Sequence, residues 1–149
     1  MRAFFVILIF SLISCKNSPN NKGLAQKIVI SEPDFNLDRA IADVESQLEI
    51  AVPKLTDLSK HPRLIETNDT EWKEIPNGRL VWTSGFYPGI LWYMYDITKD
   101  EKWKEEAIRR TEVFEDFKTI TEHHDIGFMM FPAYVNGYIL GDKKEYKDI

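Results

Sequence analysis

Apolar and polar positions divide this chain into blocks of differing pattern. Residues 34–59 place Leu37, Ile41, Val44, Leu48, Val52 and Leu55 at helical spacing with one wet face. That pattern predicts an amphipathic helix, capped at its start by Asn36 and bent or ended at Pro53. Residues 61–79 carry two prolines and little periodicity, and read as a long loop. From 84 to 98, Phe86, Tyr87, Ile90, Leu91, Trp92, Tyr93, Met94, Tyr95 and Ile97 leave no polar face, which predicts a helix buried all round. Asp100 can cap the next helix, with Trp103, Ala107, Phe114 and Phe117 on one side and Lys104, Glu105, Arg109 and Glu112 on the other. Residues 125–140 are again almost wholly apolar, broken by Pro132, and Gly141 to Lys144 begins another polar turn.

The order is amphipathic, buried, amphipathic, buried. An offset of 42 residues, without a gap, pairs Gly85 with Gly127, Phe86 with Phe128, Trp92 with Tyr134, Ile97 with Ile139 and Asp100 with Asp142. A period near that length, with two helices per unit, marks stacked αα-hairpins. The expected fold is all-α, with about two and a half helical hairpins. That number does not close a ring, so residues 34–149 read as the N-terminal part of a larger α/α toroid; a short solenoid is the other reading. An open toroid leaves its apolar helices uncovered, and poor solubility follows.

Composition narrows the class. The chain has 149 residues, 44% of them hydrophobic and 13% aromatic, which excludes a disordered tail. A net charge of −5 supplies no basic stripe for phosphates, so no nucleic-acid partner is expected. The single cysteine excludes a disulfide framework and a cysteine-based zinc site. Its position is informative: Met1-Arg2 and a short apolar run end in Leu12-Ile13-Ser14-Cys15, which resembles a bacterial lipobox. Residues 1–14 therefore read as a signal peptide, Cys15 as the lipidated residue and 15–33 as a tether, giving an exported, membrane-anchored lipoprotein. An ordinary signal peptide with an incidental cysteine is the alternative. Asn68-Asp69-Thr70 matches a glycosylation sequon that carries little weight under a bacterial reading.

Candidate chemistry gathers where the apolar helices begin. The same offset maps Trp82-Thr83-Ser84 onto His124-Asp125-Ile126, so both tripeptides occupy one structural slot, polar and aromatic in front of oily helix bodies. Helix starts running the same way favour anions, and a carboxylated ligand is the expectation. Asp125 has two readings: a cap on the amides of Gly127 or Phe128, or a pocket carboxylate for proton transfer or for positioning water. Trp82 is either a core filler or a flat surface for a sugar ring. In His123-His124-Asp125, adjacent histidines on a helix start are expected to point apart, and no third ligand has recognisable spacing, so no metal is assigned. Gly85 and Gly89 read as close-packing positions rather than a phosphate loop.

The segments Trp82-Thr83-Ser84-Gly85-Phe86-Tyr87-Pro88-Gly89-Ile90-Leu91-Trp92, Thr98-Lys99-Asp100-Glu101-Lys102-Trp103 and His124-Asp125-Ile126-Gly127-Phe128 resemble the opening of the unsaturated glucuronyl hydrolases, glycoside hydrolase family 88. The resemblance runs from about residue 34 to the end. It implies an (α/α)6 barrel and removal of the terminal 4,5-unsaturated uronic acid from lyase-generated, glycosaminoglycan-like oligosaccharides. The implied reaction is hydration of the vinyl ether rather than attack at the anomeric carbon, served by two aspartates and no cofactor. Asp125 matches the first aspartate, Trp82 a tryptophan bordering the sugar, and His124 the residue beside the acid. The second aspartate and the later uronate contacts fall beyond Ile149, so the catalytic set within these residues is expected to be incomplete and inactive. An unsaturated rhamnogalacturonyl hydrolase of related fold and a non-catalytic, glycan- or partner-binding helical-repeat lipoprotein remain alternatives. The oligomeric state is left open.

Overall fold

In the computed structural model, residues 36–78 and 81–149 are described. The expected signal peptide, the lipidated Cys15 and the tether over 15–33 lie outside them. The first helix, α1 (Leu37–Ala51), starts where Asn36 accepts a hydrogen bond from the Arg39 amide at 2.9 Å, and it stops just before Pro53. A two-stranded hairpin follows, β1 (Lys60–Leu64) against β2 (Lys73–Pro76), antiparallel, with His61 opposite Ile75 and an irregularity between Pro62 and Leu64. This corrects the expected loop over 61–79. The strands are short and polar and include Pro62, so neither alternation nor β-propensity announced them.

A 3-10 turn, Trp82–Gly85, leads into α2 (Phe86–Thr98), which ends on Lys99 in the left-handed region, φ 57°. Asp100 caps α3 (Glu101–Thr111) through the Lys102 amide at 3.0 Å, as expected. Beyond a 3-10 segment, Glu112–Phe117, the last apolar block forms α4 (Ile126–Met130), a π turn over Phe131–Val135 and α5 (Asn136–Leu140). Pro132 therefore widens this helix rather than breaking it. Proline has no N–H to bond the carbonyl of Phe128, and four residues on the Asn136 amide bypasses the Pro132 carbonyl to reach those of Ala133 and Phe131.

The layering matches the expected hairpins. Outer α1 and α3 are joined by Trp103 Nε1 donating to Glu45 at 3.3 Å and Lys102 Nζ to Glu49 at 3.0 Å. Inside, Gly85 meets Met129, Gly89 meets Pro132, and Trp92 meets Gly137 and Gly141. That succession makes the two inner helices parallel neighbours. Trp92 is the centre of the core, fully buried, with its indole N–H on Thr111 Oγ1 at 3.0 Å and Tyr146 edge-on at 6.4 Å.

Burial also follows the repeat: Trp92 and its partner Tyr134 are both buried, while Phe86 and Phe128 are both exposed, at 39% and 53%. The inner helices are thus not buried all round, as their composition predicted. Phe86, Ile90, Tyr93 and Ile97 form one stripe on α2 that no described residue covers, and Phe128, Phe131 and Ile139 continue it. Composition records that a face is apolar; it does not record whether a neighbour lies against it.

Candidate functional site

Two helix starts meet at one end of this inner layer. The close contact of Gly85 with the Met129 backbone brings the 3-10 turn carrying Trp82 against α4. The indole of Trp82 then sits edge-on to Phe86 at 5.6 Å and to Phe128 at 5.8 Å between ring centroids, and it remains 41% exposed. Asp125 lies one turn before Phe128. The two tripeptides paired by the 42-residue offset therefore begin neighbouring helices, and Trp82, Phe86 and Phe128 form an aromatic cluster there.

Asp125 makes no side-chain cap on α4. The capping reading is thus overturned: the carboxylate turns back to His124, with Oδ2 at 3.2 Å from Nε2. The Asp125 amide donates to His123 Nδ1 at 3.2 Å, and the two imidazoles stack at 5.1 Å, 19° from parallel. Adjacent histidines were expected to diverge. The turn preceding a helix does not impose helical spacing on its side chains, and here they lie face to face. His123, His124 and Asp125 bring one possible ligand atom each within 4.8 Å of one another. The hydrogen bond within this group is from the Asp125 backbone amide to His123, while the carboxylate lies within ion-pair distance of His124. Asp125 is half-buried while the His124 side chain is largely in solvent.

The hairpin contributes a second polar group that periodicity did not reveal. His61, buried on β1, bonds Asn77 Oδ1 through Nδ1 at 2.9 Å and meets Thr83 Oγ1 through Nε2 at 3.3 Å. Burial pushes its pKa below the ordinary histidine value, opposed by the Asn77 hydrogen bond. Arg63, two residues on and exposed, donates from NH1 to the same Thr83 hydroxyl at 2.7 Å. Thr83 is the offset partner of Asp125, so the hairpin touches the slot that the repeat singled out.

A buried ion pair holds the hairpin in place. Arg110 on α3 donates from Nε to Glu106 at 2.8 Å and spends its other nitrogens on the carbonyls of Leu55, Asp57 and Lys60. Arg109 reaches the second Glu106 oxygen at 2.6 Å. Asp57 is itself fixed by Ser59 and Lys60, whose hydrogen bonds hold its pKa down at about 2. The sequence pattern placed Glu105 and Arg109 correctly on the wet face but gave no sign that the i, i+4 pair Glu106 and Arg110 points inward.

No protein-family model matches the chain. It is similar to the unsaturated glucuronyl hydrolase of Formosa agariphila, 28% identical over 143 residues, covering 95% of this chain and 33% of the relative. It is also similar to the unsaturated glucuronyl hydrolase of Bacillus sp. strain GL1, 38% identical over 71 residues, covering 45% of this chain and 19% of the relative. The chain thus spans about a third of the length of the first of these relatives. Among solved structures, an unsaturated glucuronyl hydrolase specific for heparin superposes with a TM-score of 0.62 at 30% identity, over 72% of this chain and 28% of that one. A mutant of the Streptococcus agalactiae enzyme complexed with dGlcA-GalNAc6S gives 0.61 at 25% identity, over 74% and 29%. The fold is therefore part of an (α/α)6 barrel, and the chain is similar to the N-terminal part of an unsaturated glucuronyl hydrolase.

Proposed function

We propose that this chain supplies the first hairpins of a hydrolase that removes the terminal 4,5-unsaturated uronic acid from oligosaccharides left by polysaccharide lyases. The observation that carries this reading is the meeting of the Trp82 turn with the start of α4, in a chain that resembles such enzymes along nearly its whole length. Trp82, Phe86 and Phe128 offer apolar ring faces and edges to the C–H face of a sugar. Asp125, which makes no cap on α4 and lies 3.2 Å from His124, is the residue to which this reading assigns the acid and base role.

In the proposed reaction a proton is delivered to C4 and water adds at C5 of the vinyl ether. The hemiketal formed at C5 then opens by breaking the bond from C5 to the ring oxygen, giving a C5 ketone and a hemiacetal at C1. That hemiacetal collapses to an aldehyde and releases the neighbouring sugar, its glycosidic oxygen taking up the hydroxyl proton. Asp125 gives the proton to C4 and recovers one from the attacking water, so the carboxyl group is restored each cycle. The test is ultraviolet absorbance of the C4=C5 bond, followed with protein expressed from the whole open reading frame. Asp125→Asn should lower the rate by about 10²–10⁴-fold while leaving the melting profile unchanged. Undiminished activity in that variant would remove Asp125 from the role.

We further propose that the protein is exported and held at a membrane by a lipid on Cys15, on the strength of the apolar run that ends at the only cysteine. None of the described helices is long and apolar enough to cross a membrane. Incorporation of a labelled fatty acid, lost in Cys15→Ser, is the expected result.

A further inference from the structure

We propose that Arg63 is a specificity-determining residue that binds an oxyanion of the saccharide, the sulfate or the carboxylate it carries. The inference rests on the proposed hydrolase function and deepens it. Its basis is a chain of hydrogen bonds that runs from the Leu58 carbonyl through Asn77, His61 and Thr83 to Arg63. Asn77 spends its side-chain NH2 on the Leu58 carbonyl at 2.9 Å, so its Oδ1 faces the His61 ring. His61 Nδ1 must therefore carry the proton. Burial favours the neutral imidazole, whose Nε2 accepts from the Thr83 hydroxyl at 3.3 Å when Nδ1 carries the proton. With its proton committed to His61, Thr83 Oγ1 offers lone pairs only, and Arg63 NH1 donates to it at 2.7 Å.

The guanidinium is thereby held at the mouth of a cleft of about 360 Å³, which Arg63 and Thr83 line together with Trp72 and Phe86. Among the described residues no carboxylate pairs with Arg63, in a chain whose net charge is −5 and whose other surface cations mostly have acidic partners. One of its five N–H groups is used on Thr83; the remaining donors suit a carboxylate or sulfate in a forked arrangement. Phe86 lines this cleft and also packs edge-on to Trp82, so the cleft adjoins the aromatic cluster through that ring. A cation without a carboxylate partner among the described residues, in a cleft that Trp72 and Phe86 also line, fits a sugar that bears an acidic group.

The test is calorimetric titration of protein expressed from the whole open reading frame, carrying Asp125→Asn so that the ligand is not consumed, with the unsaturated disaccharide dGlcA-GalNAc6S and with its unsulfated counterpart. Arg63→Gln keeps a donor for Thr83 while removing the charge, and melting curves establish that the fold is retained. Loss of about tenfold in affinity for the sulfated ligand alone identifies the sulfate as the group held; an equal loss for both identifies the carboxylate. Arg63→Lys should recover part of the loss in either case. Unchanged affinity for both ligands in Arg63→Gln overturns the proposal. Failure of the protein from the whole open reading frame, with Arg63 intact, to bind either disaccharide overturns the hydrolase reading itself, and the role of Arg63 falls with it. Binding of both ligands that Trp82→Ala weakens and Arg63→Gln does not would leave the hydrolase reading standing and refute only this inference.

Discussion

Gly85 and Gly127 are equivalent in sequence, yet alanine should have opposite effects at the two sites. A Cβ on Gly85 would lie 2.2 Å from the Met129 carbonyl oxygen and 2.6 Å from its Cα, both backbone atoms. No rotamer change can relieve that overlap, so the Trp82 turn and α4 must separate. Overpacking of this kind costs roughly 1–3 kcal/mol, and contact with rigid backbone places Gly85→Ala at the upper end. For a domain of this size the loss corresponds to a fall in Tm of about 10 °C. A Cβ on Gly127 meets nothing within 4 Å. There alanine restricts the unfolded chain and favours the helix, a gain of about 0.5 kcal/mol and a small rise in Tm. Thermal melts followed by far-ultraviolet circular dichroism, with urea midpoints as a second measure, give both values. Equal destabilisation by the two variants, or a neutral Gly85→Ala, would refute the packing of the inner helices described above.

Two further outcomes follow from the groups behind the hairpin. Arg110→Met should cost about 3 kcal/mol, read from urea midpoints, because it leaves the buried Glu106 carboxylate with only the partly exposed Arg109 and frees three backbone carbonyls; Arg110→Met with Glu106→Met should recover part of the loss. Recovery by the double variant is the discriminating result, since a purely steric role for Arg110 predicts none. His61 is buried with its pKa lowered, so the unfolded chain binds its proton more tightly than the folded one. Its contribution is full above the unfolded pKa of about 6.5 and declines as pH falls through the window below it, down to the lowered folded value. Urea midpoints measured between about pH 7.5 and 5 should therefore fall, with a shallower slope in His61→Gln; identical slopes would place the titration elsewhere.

The elements that the sequence announced were those governed by local rules. Asn36 and Asp100 cap the helices they precede because each amide bond is made within three residues. The repeat was legible because the pairs Trp92/Tyr134 and Phe86/Phe128 hold the same position around their helices. What escaped was set by distant partners. The strands needed each other, across eight intervening residues, before their polar side chains had a reason to be extended. The exposure of Ile90 and Tyr93 depends on which helices lie alongside, a matter on which their own apolar character is silent. At the site, Trp82 and Asp125 were found from the repeat, whereas His61 and Arg63 enter through a fold-back of some twenty residues that periodicity does not encode.

Arg110 ties the carbonyls of Leu55, Asp57 and Lys60 to the outer layer, and this has a bearing on redesign. The hairpin, short and exposed at its tip, is the segment to exchange between related chains in testing the proposed role of Arg63. Its footing, however, is written into α3 rather than into the exchanged segment. A graft that imports a foreign hairpin without the matching arginine and glutamate will be set down askew, and screening the pair together offers the more productive library.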